Sequence, residues 1–169
     1  MPVKNIGLQI KAMVEIVKKY PHTELWVVGD GSERQSLEHQ IKKYGLDKNI
    51  KLIGWQKDLN EYYSKANVFL LTSNSEGWGI VIIEAAGFGL PIIMTDVGCA
   101  NEVIKNNENG IVIPVGDKNV LVKEMLKMVE DKELNQRLGQ EAKKSIKNLP
   151  SREETLELYK KIWELAKYN

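Results

Sequence analysis

The chain has 169 residues, a formal net charge of +1 and 43% hydrophobic residues, which fits one domain with a proper core. The balanced charge, with no long single-sign run, excludes the strongly basic surface that is typical of nucleic-acid-binding proteins. The single cysteine, Cys99, excludes an internal disulfide, and no apolar run approaches the roughly 20 residues of a membrane-spanning helix. No signal peptide is visible at Met1, so we expect a cytoplasmic protein.

Helices alternate with short apolar strands along the first two-thirds of the chain. Apolar residues at helical spacing predict a first helix over residues 4–19, which stops before Tyr20 and Pro21. The elements that we predict next are a strand over 25–28, a helix over 33–44 closed by Gly45, a strand over 50–53, a short helix around Tyr62 and Tyr63, a strand over 68–71, and a helix that ends at Gly89, Leu90 and Pro91.

The rest of the chain continues this alternation and then becomes helical. A buried strand over 92–94 leads to a loop over 96–102, and this loop enters a short helix that ends near Asn106 and Asn107. The last strand covers 111–113. Asp117 is the predicted N-cap of the following helix. Two further helices cover about 133–148 and 152–167, and Ser151 is the predicted cap of the last one.

This alternation predicts an α/β domain with three αβα layers, in which helices cover both faces of a parallel sheet of about five strands. Ligands of such sheets bind outside the carboxyl ends of the strands. Four turns follow predicted strands, over residues 29–32, 54–57, 72–79 and 95–102, and would line one crevice there. We therefore expect a single Rossmann-like domain over residues 1–169 with its site at this edge.

The turn over 72–79 has the chemistry of a site for phosphate and hydroxyl groups. A helix N-terminus offers unpaired N–H groups and a partial positive charge, and Gly77 and Gly79 carry no Cβ atom that would keep a ligand away. Glu76 precedes the helix, and Glu84 lies five residues after Gly79, or roughly 7–8 Å along the axis. Carboxylates accept hydrogen bonds from sugar hydroxyls, so this arrangement predicts a ligand such as a nucleotide sugar. The same spacing also fits residues without a ligand. Glu76 would then be an acid favoured at a helix start, Glu84 an exposed residue on the helix surface, and Gly77 and Gly79 ordinary turn residues.

The run from Glu76 to Pro91 resembles the signature of retaining GT-B glycosyltransferases, two glutamates with seven residues between them, and it is most similar to the large family GT4. The usual run there is E-G-F-G-L-x-x-x-E-A-M-A-C-G-x-P-V. This chain has Trp78 for the common Phe, an Ala-Gly-Phe segment over 86–88 for Met-Ala-Cys, and Ile92 for Val. The resemblance extends from residue 3 to about 159. It implies the C-terminal, donor-binding half of a GT-B enzyme that transfers a hexose from a UDP- or GDP-sugar to an acceptor hydroxyl with retention of configuration.

The resemblance also implies roles for individual residues. Lys4 would grip the donor diphosphate, together with an Arg that the family pattern places before Met1. Glu76 would hold the sugar hydroxyls and Glu84 the ribose, so that Glu76 and Lys4 are the predicted catalytic residues. The predicted donor-binding set is Lys4, Gly31, Gly54, Trp55, Glu76, Gly77, Trp78, Gly79, Ile80, Val81 and Glu84. No metal and no cofactor are expected beside the nucleotide-sugar substrate.

The implied partner is an N-terminal GT-B domain, which would bind the acceptor and is not part of this sequence. We therefore expect a truncated or separately encoded half that binds nucleotide weakly and does not turn over alone. The sequence identifies neither the base, the sugar nor the acceptor. Peripheral association of the full-length enzyme with a membrane also stays open.

Other interpretations remain open. The run Gly29-Asp30-Gly31 is half of a dinucleotide fingerprint, but Arg34 stands where the third glycine belongs, so an NAD site is weakly supported. The alternatives to a transferase are a GT-B relative with nucleotide-sugar epimerase or phosphorylase-type activity, and a non-catalytic module whose open sheet edge pairs with another chain. Trp55 fits a packed tryptophan as well as a contact with the nucleobase. No group of His, Cys and acidic residues has metal-ligand spacing.

Overall fold

The computed structural model describes residues 3–147, 149–150 and 152–166, and these residues form seven helices and five strands. The helices are α1 (Ile6–Lys19), α2 (Arg34–Tyr44), α3 (Asn60–Lys65), α4 (Ile80–Gly87), α5 (Lys118–Glu130), α6 (Lys132–Ile146) and α7 (Arg152–Ala166). The strands are β1 (Leu25–Val28), β2 (Ile50–Gly54), β3 (Phe69–Leu71), β4 (Ile92–Thr95) and β5 (Ile111–Ile113). Ser151, the predicted cap of the last helix, lies outside the described residues.

The five strands run parallel to their neighbours and fall into two groups. β1 pairs with β2, and the second sheet has the order β3-β4-β5. The predicted parallel α/β domain is confirmed, with the difference that no described strand joins β1 to β3, so the sheets have two and three strands. One hydrophobic core holds both sheets, since Leu25 and Ile50 of the first and Ile93 and Ile111 of the second belong to the same buried cluster.

Helices cover both faces of the larger sheet. Successive side chains of a strand point to opposite faces. In β4, Ile93 packs in the cluster that contains Ile10 of α1, whereas Ile92 and Met94 pack in a second cluster with Ile82 of α4. All four residues of β4 are buried. The three αβα layers predicted from the alternation are therefore confirmed.

Two predicted helix boundaries are confirmed by their capping geometry. The Asp117 carboxylate accepts a hydrogen bond from the backbone N–H of Val120 at 2.9 Å, which satisfies one free donor of the first turn of α5. Gly45 follows α2 in the left-handed conformation, with φ of 67°, and this conformation ends the helix.

Two other predicted helices differ from the structure. α1 begins at Ile6 rather than at residue 4, because Asn5 has a left-handed backbone with φ of 48° and cannot belong to a right-handed helix. The prediction that Lys4 opens the helix is therefore wrong, and Lys4 lies in the segment before it. The short helix expected after residue 102 is replaced by turns, because the Asn101 N–H donates forward to the Ile104 carbonyl at 2.7 Å and the Asn107 N–H to the Gly110 carbonyl at 2.8 Å, which is not the helical pattern. Asn101 and Asn107 also have positive φ, of 64° and 63°.

Candidate functional site

The loop from residue 72 to 79, between β3 and α4, is tied to two neighbouring segments. The Thr95 hydroxyl at the end of β4 donates a hydrogen bond to the Ser73 carbonyl at 2.6 Å. The Asn74 N–H donates to the Val3 carbonyl at 2.7 Å, and the buried Thr72 hydroxyl donates to the carbonyls of the same segment before α1. Because the segment before α1 is bound to the loop, Lys4 lies beside Glu76.

Lys4 and Glu76 form an ion pair across 72 residues of sequence. Lys4 Nζ lies 2.6 Å from Glu76 Oε1, and the Ser73 hydroxyl donates to the same oxygen at 2.6 Å. The Glu76 side chain is 11% exposed, whereas that of Lys4 is 56% exposed. Burial raises the pKa of Glu76, but the hydrogen bonds from Lys4 and Ser73 and the charge of Lys4 outweigh it, so the pKa lies below the ordinary value of 4.5. Glu76 is therefore a fixed carboxylate, and Lys4 is a cation whose head reaches solvent.

The N-terminus of α4 opens next to this ion pair. Gly79 precedes the helix with φ of 87°, a conformation that suits glycine, and no side chain of the described residues caps the first N–H groups. A Cβ atom at Gly77 would meet nothing within 4 Å, so ligand atoms can approach this backbone. Trp78 and Ile80 are 44% and 69% exposed. The loop thus presents free backbone donors and apolar side chains to solvent.

Glu84 lies further along α4 and is held by a residue of α3. Its Oε2 accepts a hydrogen bond from the Tyr63 hydroxyl at 2.8 Å. Tyr63 is buried, and Glu84 is exposed. Val81, one turn before Glu84, is partly buried. The second predicted carboxylate therefore has one oxygen anchored to the protein.

Gly31, Gly54 and Trp55 form a second group at the carboxyl ends of β1 and β2. The Gly29 N–H donates to the Gly54 carbonyl at 2.8 Å, so the two turns are joined. The Asp30 carboxylate accepts from the Gly31 N–H at 2.8 Å. Trp55 is 72% exposed, so the alternative of a packed tryptophan is wrong, and its ring is free for a ligand to stack on.

Sequence reasoning missed several residues that position the site. Gly98 lies against the loop so closely that a Cβ atom there would be 2.8 Å from the Trp78 carbonyl oxygen, and the Cys99 N–H donates to that oxygen at 3.0 Å. These contacts join segments that are about 20 residues apart in sequence, so no local sequence pattern predicts them. The Ser73 hydroxyl, which donates to Glu76 Oε1, was missed as well, because Ser73 and Glu76 lie in the loop before α4 and not at a helix start, where this spacing is a recognised capping signal.

The described residues contain no group of three or more His, Cys, Asp and Glu side chains that could hold a metal ion. The expectation of metal-independent chemistry stays a prediction. Among the described helices, none combines the length and the apolar character needed to cross a membrane.

Comparisons with known proteins agree with this fold. The family model described as glycosyl transferases group 1 matches residues 1–145. The lipopolysaccharide core biosynthesis glycosyltransferase LpsE of Rhizobium meliloti is 28% identical over 147 residues, which are 87% of this chain and 43% of LpsE. The chain spans less than half the length of the first curated relatives that it matches.

Two crystal structures have folds similar to that of this chain. The C-terminal domain of LpcC, a glycosyl transferase group 1 family protein from Francisella tularensis, superposes with a TM-score of 0.78 at 27% identity and covers 86% of this chain and 78% of that one. A mutant of S. aureus TarM in complex with fondaparinux, alpha-GlcNAc-glycerol and UDP superposes with a TM-score of 0.87 at 26% identity and covers 94% of this chain and 32% of TarM. These likenesses confirm the Rossmann-like fold of a C-terminal GT-B domain.

Proposed function

The chain belongs to the glycosyl transferases group 1 family, and from this premise we propose that it is the donor-binding half of a retaining enzyme that transfers a hexose from a UDP- or GDP-sugar to an acceptor hydroxyl. One observation carries the proposal. The cation of Lys4 and the carboxylate of Glu76 lie 2.6 Å apart beside the uncapped N-terminus of α4. This arrangement offers positive charge for a diphosphate and a hydrogen-bond acceptor for sugar hydroxyls at the same place.

The proposed chemistry is electrostatic. As the bond between the sugar and the diphosphate breaks, negative charge grows on the leaving diphosphate. Lys4 and the backbone N–H groups from Gly77 to Ile80 would stabilise that charge. Glu76 would hold the sugar hydroxyls. Lys4 must then turn from Glu76 towards the phosphate, and its exposure of 56% leaves room for that movement. No proton transfer by these residues is required.

The remaining contacts with the donor would come from Glu84 on α4 and from the turns that follow β1 and β2. Glu84 would accept hydrogen bonds from the ribose, and Trp55 with Gly54 and Gly31 would contact the nucleoside. The complex of the S. aureus TarM mutant with UDP supports a nucleoside diphosphate as ligand. We propose that a second, acceptor-binding domain completes the cleft, since the chain spans less than half of its curated relatives. Residues 1–169 alone should bind nucleotide weakly and should not transfer sugar.

A protein-observed NMR titration with UDP, GDP and NAD tests the proposal. Shifts confined to Lys4, Glu84 and the turns over 54–56 and 77–80 with one nucleoside diphosphate would support it and identify the base. Silence with both diphosphates would contradict it. A response to NAD centred on residues 29–32 would instead favour a dinucleotide site. Gln substitution of Glu108, an exposed acid on a turn away from these elements, is a matched control and should leave the titration unchanged.

The epimerase and non-catalytic alternatives have no observation in their favour. The family model and LpsE both carry the name of glycosyltransferases. A cytoplasmic location stays a prediction.

A further inference from the structure

Tyr63 contacts the predicted site but is not among the residues that the sequence assigned to it. Tyr63 is the buried residue of the short helix α3 and is 7% exposed. Its hydroxyl donates to Oε2 of Glu84 at 2.8 Å. The two residues are 21 positions apart and lie on different helices, so this hydrogen bond joins α3 to α4.

The ring of Tyr63 is held rigidly, which fixes where its hydroxyl points. It stacks on Phe88 at the end of α4, with centroids 5.4 Å apart and planes 30° apart. It also contacts Phe69 of β3, with centroids 6.0 Å apart and planes 50° apart. Both contacts are within the favourable range for aromatic pairs. The buried phenol ring of Tyr63 is therefore fixed by its neighbours, and its single O–H donates to the exposed Glu84 carboxylate.

The phenol is a donor at neutral pH, because its pKa lies above the ordinary value. Burial first, and then the hydrogen bond and charge of Glu84, raise the pKa of Tyr63 above its ordinary value of 10.0. The hydroxyl thus stays neutral and keeps its hydrogen. An ionised carboxylate has two oxygens and accepts several hydrogen bonds. With Oε2 bound to Tyr63, Oε1 remains available for a ligand.

We propose that Tyr63 is a positioning residue, which holds the Glu84 carboxylate in the orientation that accepts the ribose hydroxyls of the donor nucleotide. This inference rests on the proposed function. An exposed glutamate without an anchor samples many rotamers, and a ligand must order them. Ordering one such side chain costs roughly a two- to tenfold loss of affinity. Tyr63 removes that cost before the ligand arrives.

The test uses Tyr63→Phe, which keeps the ring contacts and deletes only the hydroxyl. The probes are UDP and GDP, each beside its 2′,3′-dideoxy form, which lacks both ribose hydroxyls, with dissociation constants from NMR titration of the 169-residue chain. We expect Tyr63→Phe to weaken binding of the ribonucleotide roughly two- to tenfold and to leave binding of the dideoxy form unchanged. In a Glu84→Gln background the same substitution should add little, because the carboxylate it positions is gone.

Tyr62→Phe is the matched control. Tyr62 is the neighbouring residue on α3, and its ring meets Trp26 edge-on rather than Glu84. It undergoes the same chemical change and should bind both nucleotide forms as the wild type does. If Tyr63→Phe weakens the dideoxy form as much as the ribonucleotide, or binds the ribonucleotide like the wild type, the inference is overturned while the proposed function stands. A wild-type protein that binds no nucleotide overturns the proposed function, and the inference with it.

Discussion

Replacing Glu76 with glutamine should tighten the binding of a nucleoside diphosphate, although Glu76 is one of the predicted catalytic residues. In the structure the Glu76 carboxylate forms an ion pair with the Lys4 ammonium group at 2.6 Å. A diphosphate without its sugar gains nothing from Glu76 and competes with it for Lys4. Glutamine has nearly the same shape but no charge, so it releases the lysine and removes a like charge from the neighbourhood of the phosphate.

The size of the effect follows from the exposure of the pair. The Lys4 side chain is 56% exposed, so the pair resembles surface ion pairs. Such pairs contribute about 0.2–1 kcal/mol, and the upper value corresponds to about a fivefold change in a dissociation constant. The lost repulsion between Glu76 and the phosphate acts in the same direction. We expect UDP or GDP, whichever binds, to bind about two- to fivefold more tightly to Glu76→Gln than to the wild type.

Isothermal titration at low and high salt measures this change, and the gain should shrink as salt screens the charges. Glu108→Gln is the matched control. Glu108 is an exposed acid outside the four turns predicted to line the crevice and, among the ion pairs of the described residues, takes part in none. The decisive comparison is the double substitution Lys4→Met with Glu76→Gln against Lys4→Met alone. Here the gain from Glu76→Gln should be smaller than in the wild type, because only the lost repulsion remains. Weaker binding by Glu76→Gln, an equal gain from Glu108→Gln, or an undiminished gain in the Lys4→Met background would refute the reasoning.

The remaining predictions concern stability and are all measured by urea unfolding. Gly139→Ala should destabilise the chain by about 1–3 kcal/mol, because a Cβ atom there would lie 2.1 Å from the Gly89 carbonyl oxygen. Gly87→Ala is its control, since the new Cβ would make only an ordinary contact at 3.7 Å, and it should be neutral or slightly stabilising; equal losses would contradict the packing argument. Asp117→Ala should cost about 1 kcal/mol through the lost cap of α5, whereas Asp117→Asn should cost much less. The pKa of Glu76 is lowered by folding, so its carboxylate should stabilise the fold above about pH 4.5 and lose that contribution as the pH falls through the lower folded-state pKa. Glu76→Gln should lack this part of the acid destabilisation, and an unchanged pH profile would refute it.

The features that the sequence predicted are those set by local chemistry. Gly79 and Gly45 both adopt positive φ at helix boundaries, where glycine is favoured. Asp117 caps α5 as its position before an apolar pattern indicates. Alternating apolar runs were enough to predict three layers, because a parallel strand buried on both faces reads as a continuous apolar segment. Local sequence rules were therefore sufficient to predict the fold class and the turn that contains Gly77 and Gly79.

The features that the sequence did not predict depend on contacts between distant residues. Asn5 is left-handed, yet asparagine also precedes helices as an ordinary N-cap in the β region, so its identity did not decide the backbone conformation at the start of α1. The proximity of Lys4 to Glu76 was expected from a family resemblance and not from spacing, since 72 residues separate them. The sequence identifies Tyr63 only as part of a predicted short helix. Its partner Glu84 follows 21 residues later, and no sequence period links them.

The separation of the strands into two sheets has a consequence for cooperativity. β1 and β2 share side-chain packing with the larger sheet but, among the described residues, no ladder of backbone hydrogen bonds with it. Segments joined in this way can open as separate units, which native-state hydrogen exchange detects. A ligand that contacts both Trp55 and Glu84 would connect the β1-β2 unit to the unit that contains the larger sheet, and its binding would stabilise the two units against separate opening. Part of its binding free energy would then appear as slower amide exchange along the whole of β1 and β2, beyond the turn residues that it contacts.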